Sequence, residues 1–424
     1  MSADLISNVI AQGHRLATHS WEYGAFAEAL LEWHDPRLSV FGADPFPGGG
    51  VPVVQVGDVQ ALAYARPHIW TNSSTLVDGD GAAGDPASLG VSAILIGQTE
   101  PAYLAAAGRQ VDHLLTAVPR WPTNGAISHR EAVAELWADF LYMAPPALAY
   151  WAVQTADAGL LGEALRQCGL YRDVLGVPLV GGDGGSGVGN GSVGAFAAGG
   201  LWHHIIGPET QDLGIWSTGN AWAAAGMTRV LATALKFPQP KNNNSSISSN
   251  NTSEEEEKRR DVDTGIKTVK SIVRDILDAA IALDDAEPAE PLLRNYLNDT
   301  SWFGELSGTT LLTATVYRLA VLAPDEFGDG GNGNNNNSSN SSKYVKWADA
   351  KRSEIISRID DRGLLAPVVN PLDWGDRTPG AESPEAQSFA VLMFAAHRDY
   401  QEALQKKKKA LGGARSHVRR RLAW

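Results

Sequence analysis

Asp85-Pro86-Ala87-Ser88-Leu89-Gly90-Val91-Ser92-Ala93-Ile94-Leu95, followed after a Gly-Gln-Thr-Glu turn by Pro101 to Leu115, decides the fold. Each half carries apolar residues at helical spacing. Asp85 suits an N-cap and Pro86 a first turn, and Pro101 opens the second helix in the same way. The stretch is therefore a helical hairpin. Arg130 to Thr155 followed by Ala158 to Leu170 repeats the arrangement. A helix running to Trp33, and the segments Trp216–Leu235, Val262–Leu283, Leu306–Leu322, Tyr344–Ile359 and Pro384–His397, have the same periodicity. Strand character is confined to Val51–Val56 and Val177–Val180. Long helices paired by tight turns, with Gly- and aromatic-rich loops between the pairs, predict an all-α barrel or toroid.

The 424 residues exceed a typical domain, yet barrels of this length form one unit. Two stretches cannot pack a core: an Asn/Ser then Glu/Lys/Arg run at 239–261, and a Gly/Asn/Ser run at 328–343. Both are expected to be disordered insertions within one catalytic domain spanning 1–400. Residues 401–424 form a basic tail, with four Lys and four Arg against Glu402. The net charge of −13 argues against nucleic acid and anionic membranes as partners. One cysteine, Cys168, excludes an internal disulfide and Cys/His metal clusters. The opening residues lack a signal-peptide pattern, so a cytoplasmic protein is expected.

Chemistry is concentrated in Glu135-Leu136-Trp137-Ala138-Asp139-Phe140-Leu141-Tyr142-Met143-Ala144-Pro145-Pro146. A carboxyl in such apolar company loses hydration, and desolvation raises its pKa, which is what a general acid needs. Trp137 and Tyr142 supply flat rings on which sugars stack. An Asp capping a buried helix explains the same residues without chemistry. Recurrence favours the site. Similar polar–aromatic helix starts occur at Ser20-Trp21-Glu22-Tyr23-Gly24, Gly84-Asp85, Leu201-Trp202-His203-His204, Trp216 to Trp222, and Trp302 to Gly308. If these ends share one side of a ring of helices, their Trp, His and carboxylate groups converge on a single aromatic pit.

Other chemistries find no support. The Gly-rich run from Gly181 to Gly200 lacks the Lys-Ser/Thr of a phosphate loop and the strand–helix setting of a dinucleotide fingerprint. His203-His204 has no accompanying metal-ligand spacing. No Gly-x-Ser-x-Gly elbow is present.

At these residues the sequence resembles glycoside hydrolase family 105, the unsaturated rhamnogalacturonyl hydrolases, and more distantly family 88. The resemblance runs from Trp21 to about Tyr400, apart from the two low-complexity stretches. Leu136-Trp137-Ala138-Asp139-Phe140-Leu141-Tyr142-Met143-Ala144 looks like the motif of the family's catalytic Asp. Asp85 resembles its second carboxylate, and His129 falls at a substrate-pocket His. His204 fits the register of another pocket His, and Trp216 and Trp222 match a pair of aromatics. Ser307-Gly308-Thr309 and Glu382 to Gln387 resemble later helix starts.

The resemblance implies an (α/α)6 barrel of six helical hairpins. It implies removal of a 4,5-unsaturated uronic acid from lyase-generated oligosaccharides, with no metal or organic cofactor. The family hydrates the ring double bond, a vinyl ether. Asp139 is then expected to protonate C4 and activate water, with Asp85 assisting. Trp21, Tyr23, His129, Trp137, His204, Trp216, Thr218 and Trp222 are the expected sugar-binding residues. Thr218 departs from the family, which has an Arg there; Arg pairs bidentately with a carboxylate and Thr cannot. The departure bears on sugar specificity. The rival readings are a uronoside lyase on the same barrel and a non-catalytic carbohydrate-binding relative.

Overall fold

The computed structural model describes residues 3–178, 199–238, 249–328 and 342–421. Most of the Gly-rich run at Gly181–Gly200, the Asn/Ser half of the first expected insertion and nearly all of the second lie outside the described residues.

Outer and inner helices alternate along the chain. The outer set is α1 (Ala3–Leu16), α3 (Gln60–Ala65), α5 (Pro101–Thr116), α8 (Ala158–Leu175), α10 (Ser249–Ala286) and α13 (Lys343–Ser357). The inner set is α2 (Ser20–His34), α4 (Gly90–Gly97), α6 with α7 (Phe140–Met143, Pro145–Thr155), α9 (Ser217–Leu235), α11 (Leu306–Leu322) and α14 (Pro384–Arg421). A short helix, α12 (Pro324–Phe327), follows α11. Each inner helix packs on the next, and α14 closes the ring against α2. This is the (α/α)6 barrel expected from the hairpin pattern.

Inner helices are apolar nearly all round because both faces are covered. All of α4 is buried, as is α9 from Ser217 to Ala234. Small residues let them approach closely. A Cβ at Gly226 of α9 would stand 2.1 Å from the Leu141 carbonyl oxygen, so only glycine fits there. Below the apolar core (Phe140, Leu148, Trp222, Leu311, Phe389) the inner helices are tied by buried ion pairs. Arg229 on α9 meets Glu28 at 2.7 Å and also Glu32, both on α2; Arg318 on α11 meets Glu32 and, at 2.5 Å, Asp399 on α14. Removing one member strands a buried charge, a loss of about 3–5 kcal/mol.

Four local expectations are corrected. Arg130 to Thr155 is not one helix, because its first part folds back. Ser128 Oγ accepts from Glu135 N–H at 3.0 Å and donates to the Val133 carbonyl at 2.7 Å. The released strand β1 (Leu136–Trp137) then pairs antiparallel with β2 (Ile205–Ile206). Val51 to Gln55 forms no strand, and Val56–Asp58 is a 3-10 turn. Residues 249–261, placed within a disordered insertion by composition, form the first turns of α10. Glu, Lys and Arg are good helix formers, and Glu254 pairs with Lys258 one turn on at 3.1 Å. The basic tail is likewise no separate segment up to Arg421, since α14 continues through it.

Candidate active site

Inner-helix N-termini gather on one side of the barrel. Trp21 is the second residue of α2, and Asp85 opens a 3-10 turn (Asp85–Leu89) leading into α4. Asp139 directly precedes α6, Trp216 is the N-cap of α9, and Glu385 is the second residue of α14. Strand β1 adds Trp137, and loops add His129, Arg130, His204 and Trp374. These ten residues line one pocket, together with Gly79, Asp80, Met143, Pro371 and Leu372. It holds ≈ 750 Å³ of empty space including its mouth, inside the range of small-molecule sites, about 300–1,000 Å³.

Backbone bonds hold the loops in register. Ala83 N–H donates to the His129 carbonyl at 2.7 Å, and Ala138 N–H donates to that of His204 at 3.0 Å. Gly84 is required by proximity: a Cβ there would stand 2.7 Å from the Phe140 ring and 3.1 Å from His129 Nδ1. Trp137 is held by its indole N–H, which donates to Glu135 Oε1 at 2.7 Å. Glu135 Oε2 in turn accepts the Glu209 and Thr210 backbone N–H groups. The His129 ring stacks on Trp137 with centroids 4.9 Å apart, and His204 packs against Trp216 at 4.4 Å and Trp374 at 5.0 Å.

Each catalytic candidate faces a histidine. His129 Nε2 lies 3.7 Å from Asp85 Oδ1, and His204 Nε2 lies 3.5 Å from Asp139 Oδ2. The histidines differ in charge. Burial drives the His129 imidazole down to about 3, helped by Arg130 and His204 and opposed by Asp139, so it is neutral at pH 7. Burial also lowers His204, but hydrogen bonding to Asp139 and Asp212 reverses this and leaves it above its ordinary value. His204 Nδ1 is 3.0 Å from Asp212 Oδ2, which also accepts from Tyr296 OH at 2.5 Å. The Asp212 carboxyl sits below its usual range, because these two bonds outweigh its burial.

Two carboxyls of the pocket are pushed up. Burial, then the nearby Asp139 charge, raises Asp85 to about 8, with Arg130 opposing. Burial also lifts Glu385 well above the carboxylate range, reinforced by Asp139, Glu22 and Glu305 and opposed by its bond from Trp21. The pocket thus stores protons at neutral pH. The sequence reading placed a raised carboxyl at Asp139; the raised carboxyls of the pocket are those of Asp85 and Glu385. Among the described residues Arg130 is the one Lys or Arg lining the pocket; its guanidinium lies 6.0 Å above the Trp137 ring. Among the described residues no three His, Cys, Asp or Glu side chains are grouped as metal ligands.

Trp21, Asp85, His129, Trp137, Asp139, His204 and Trp216 are therefore brought together. Three expected residues are elsewhere. Tyr23, two residues after Trp21 and so on the other side of α2, stacks on His68 at 3.9 Å and donates to the Thr18 carbonyl. Thr218 is fully buried beside Glu305, with Oγ1 3.4 Å from Oε1. Trp222 lies deeper on α9, wedged between Tyr142 and Phe389. Both α9 residues fall on turns that face other inner helices rather than the pocket. Tyr142 itself is core. The reading from sequence missed Arg130, Asp212, Trp374 and Glu385. Asp212 and Glu385 had a usable signal, being acidic residues a few positions from Trp216 and at a proline-marked helix start.

Residues 63–253 match the family model described as Glycosyl Hydrolase Family 88. No curated protein matches the chain in sequence. Among solved structures, it is similar to a possible member of family 105 from Salmonella enterica serovar Paratyphi A. The two are 15% identical, 93% of each chain is covered, and the TM-score is 0.61. A family 105 glycoside hydrolase of C. acetobutylicum is 13% identical over 93% of this chain and 98% of its own, TM-score 0.61. A polysaccharide lyase is 16% identical over 94% and 98%, TM-score 0.55. At these identities the likeness is one of fold. The family model and the barrel agree with the resemblance carried by the Asp139 and Asp85 motifs. Among the described residues no helix is long and apolar enough to cross a membrane.

Proposed function

We propose that this pocket removes a 4,5-unsaturated uronic acid from the non-reducing end of an oligosaccharide by hydrating its ring double bond. The observation that carries the reading is the Asp85–Asp139 relationship. Burial, and then the Asp139 charge, raise Asp85 to about 8, so at neutral pH Asp85 holds a proton in the same pocket as Asp139. A vinyl ether needs such a pair. One carboxyl must deliver a proton to C4, and a carboxylate must then take a proton from the water that attacks C5.

In this reading Asp139 performs both steps: it passes to C4 a proton taken from Asp85, takes one from the water that attacks C5, and returns it to Asp85, which also orients the water. C5 then carries both the new hydroxyl and the ring oxygen. That hemiketal opens to a ketone, and C1 releases the aglycone as an alcohol. Trp137, Trp216 and Trp374 offer ring faces to the sugar. Arg130 offers the cation that a uronate carboxylate seeks, a role that buried Thr218 leaves open. Because attack is not at C1, the carboxylate-separation rule for retaining and inverting enzymes does not apply.

Absorbance of the conjugated enoate tests this directly. An unsaturated uronyl disaccharide should lose its signal with enzyme, and the saturated counterpart should stay intact. In isotopic water, solvent oxygen should enter at C5 and solvent hydrogen at C4. Label at C1 or equal cleavage of the saturated sugar would mean an ordinary glycosidase. A rising signal from a saturated polymer would mean a lyase, and no change with bound sugar a non-catalytic binder.

A further inference from the structure

Glu385 is the pocket carboxyl for which the hydration chemistry finds no use. It lines the same cavity as Asp85 and Asp139 and is 3% exposed. Its two oxygens are unequal. Oε1 accepts the Trp21 indole N–H at 3.0 Å, whereas Oε2 is buried without a hydrogen-bond partner. Among the described residues no Lys, Arg or His side chain forms an ion pair with it. The ionisable groups that act on it most are Asp139, Glu22 on α2 and Glu305 at the start of α11, all acidic; Arg130 and His204 line the same pocket without pairing with it. A carboxylate there would be a desolvated, uncompensated charge among like charges, so the group keeps its proton. Trp21 is donor only, which fixes Oε1 as the carbonyl oxygen and leaves the O–H on Oε2.

We infer that Glu385 is a substrate-binding residue whose Oε2 hydroxyl donates a hydrogen bond to an oxygen of the sugar seated in the pocket. The inference rests on the pocket accepting an unsaturated uronyl sugar. A buried donor without a partner is costly, and a ligand oxygen satisfies it. The arrangement also suits an anionic sugar: a neutral acid donates without adding negative charge beside Asp139. Trp21, which lines the pocket too, fixes both the tautomer and the direction of the bond.

Steady-state kinetics of wild type, Glu385→Gln and Glu385→Ala on an unsaturated uronyl disaccharide test it. Glutamine keeps an acceptor for Trp21 and a neutral N–H donor at the Oε2 position. It should retain KM within about threefold, whereas alanine should raise KM about ten- to a hundredfold with a smaller change in kcat. Thermal transitions accompany each variant; if alanine does not fold, the glutamine KM decides alone. Glutamine failing to retain KM would overturn the inference, because an anionic or proton-transferring Glu385 is then required. So would an alanine variant of wild-type KM, a merely structural residue. An inactive wild type instead removes the hydrolase reading, and this proposal with it, at the first measurement.

Discussion

His204 Nε2 stands 3.5 Å from Asp139 Oδ2 while its Nδ1 is held at 3.0 Å by Asp212, so one imidazole links a candidate acid to a half-buried carboxylate. The link raises His204 above its ordinary value against the effect of its burial. Asp212→Asn removes the charge of one of the two carboxyls that hold the proton on His204. The His204 titration followed by NMR should move to lower pH, with kcat/KM down about tenfold or more. An unchanged His204 titration would show that Asp212 does not act through the ring.

Asp139→Asn should abolish turnover, by ~10²–10⁴-fold or more, with the thermal transition near the parental value. An amide keeps the shape and cannot transfer the proton. The same change removes a charge that raises Asp85, so the Asp85 titration should fall below about 8. Near-parental activity would sink the mechanism.

Asp85 gives a pH dependence of known sign. Its pKa is 3.8 ordinarily and about 8 when folded, so between these values the native state binds more protons than the unfolded one. Stability contributed by this group is therefore present at low pH and lost as pH rises toward 8. Asp85→Asn should be more stable than the parent at pH 8, with the advantage shrinking toward pH 4, while activity is strongly impaired. The parent's rate should fall as pH climbs through about 8. Denaturant titrations at the two pH values check the sign.

Arg130→Gln should raise KM for a uronyl substrate about tenfold or more, with little effect on its methyl ester, because the lost contact is to the carboxylate. Equal effects on acid and ester would assign Arg130 to another part of the sugar.

Thr218→Arg is expected from the family resemblance to restore a carboxylate partner; its burial predicts otherwise. The position is closed off beside Glu305 and Ser217, and a guanidinium cannot be seated without displacing the start of α11. The variant should lose more than about 3 kcal/mol of stability, read by chemical denaturation. A stable variant with a changed substrate ranking would restore the original reading.

The helical hairpins were legible because apolar periodicity, N-terminal prolines and short turns are local properties of the chain, and six such pairs have few ways to bury every inner face. Asp85, Asp139, Trp21, Trp137 and Trp216 were legible for a related reason: residues at or beside inner-helix starts end on one rim once the ring closes. The rim does not extend down the helix. Thr218 is the second residue of α9 and Trp222 the sixth, where a shift of one or two residues turns a side chain from the pocket to a neighbouring helix, and periodicity alone cannot say which.

Glu385 and Asp212 carry roles that no local pattern fixes. Sequence marks Glu385 as a polar residue after Pro384, but only the ring brings Trp21, 364 positions away, onto one of its oxygens and acidic neighbours around the other. Asp212 and Tyr296 meet across 84 positions. The sequence by itself determined the barrel and which ends of its helices line the pocket. The tertiary structure alone decided which carboxyls hold protons, because desolvation and like-charge proximity depend on what surrounds a group in space.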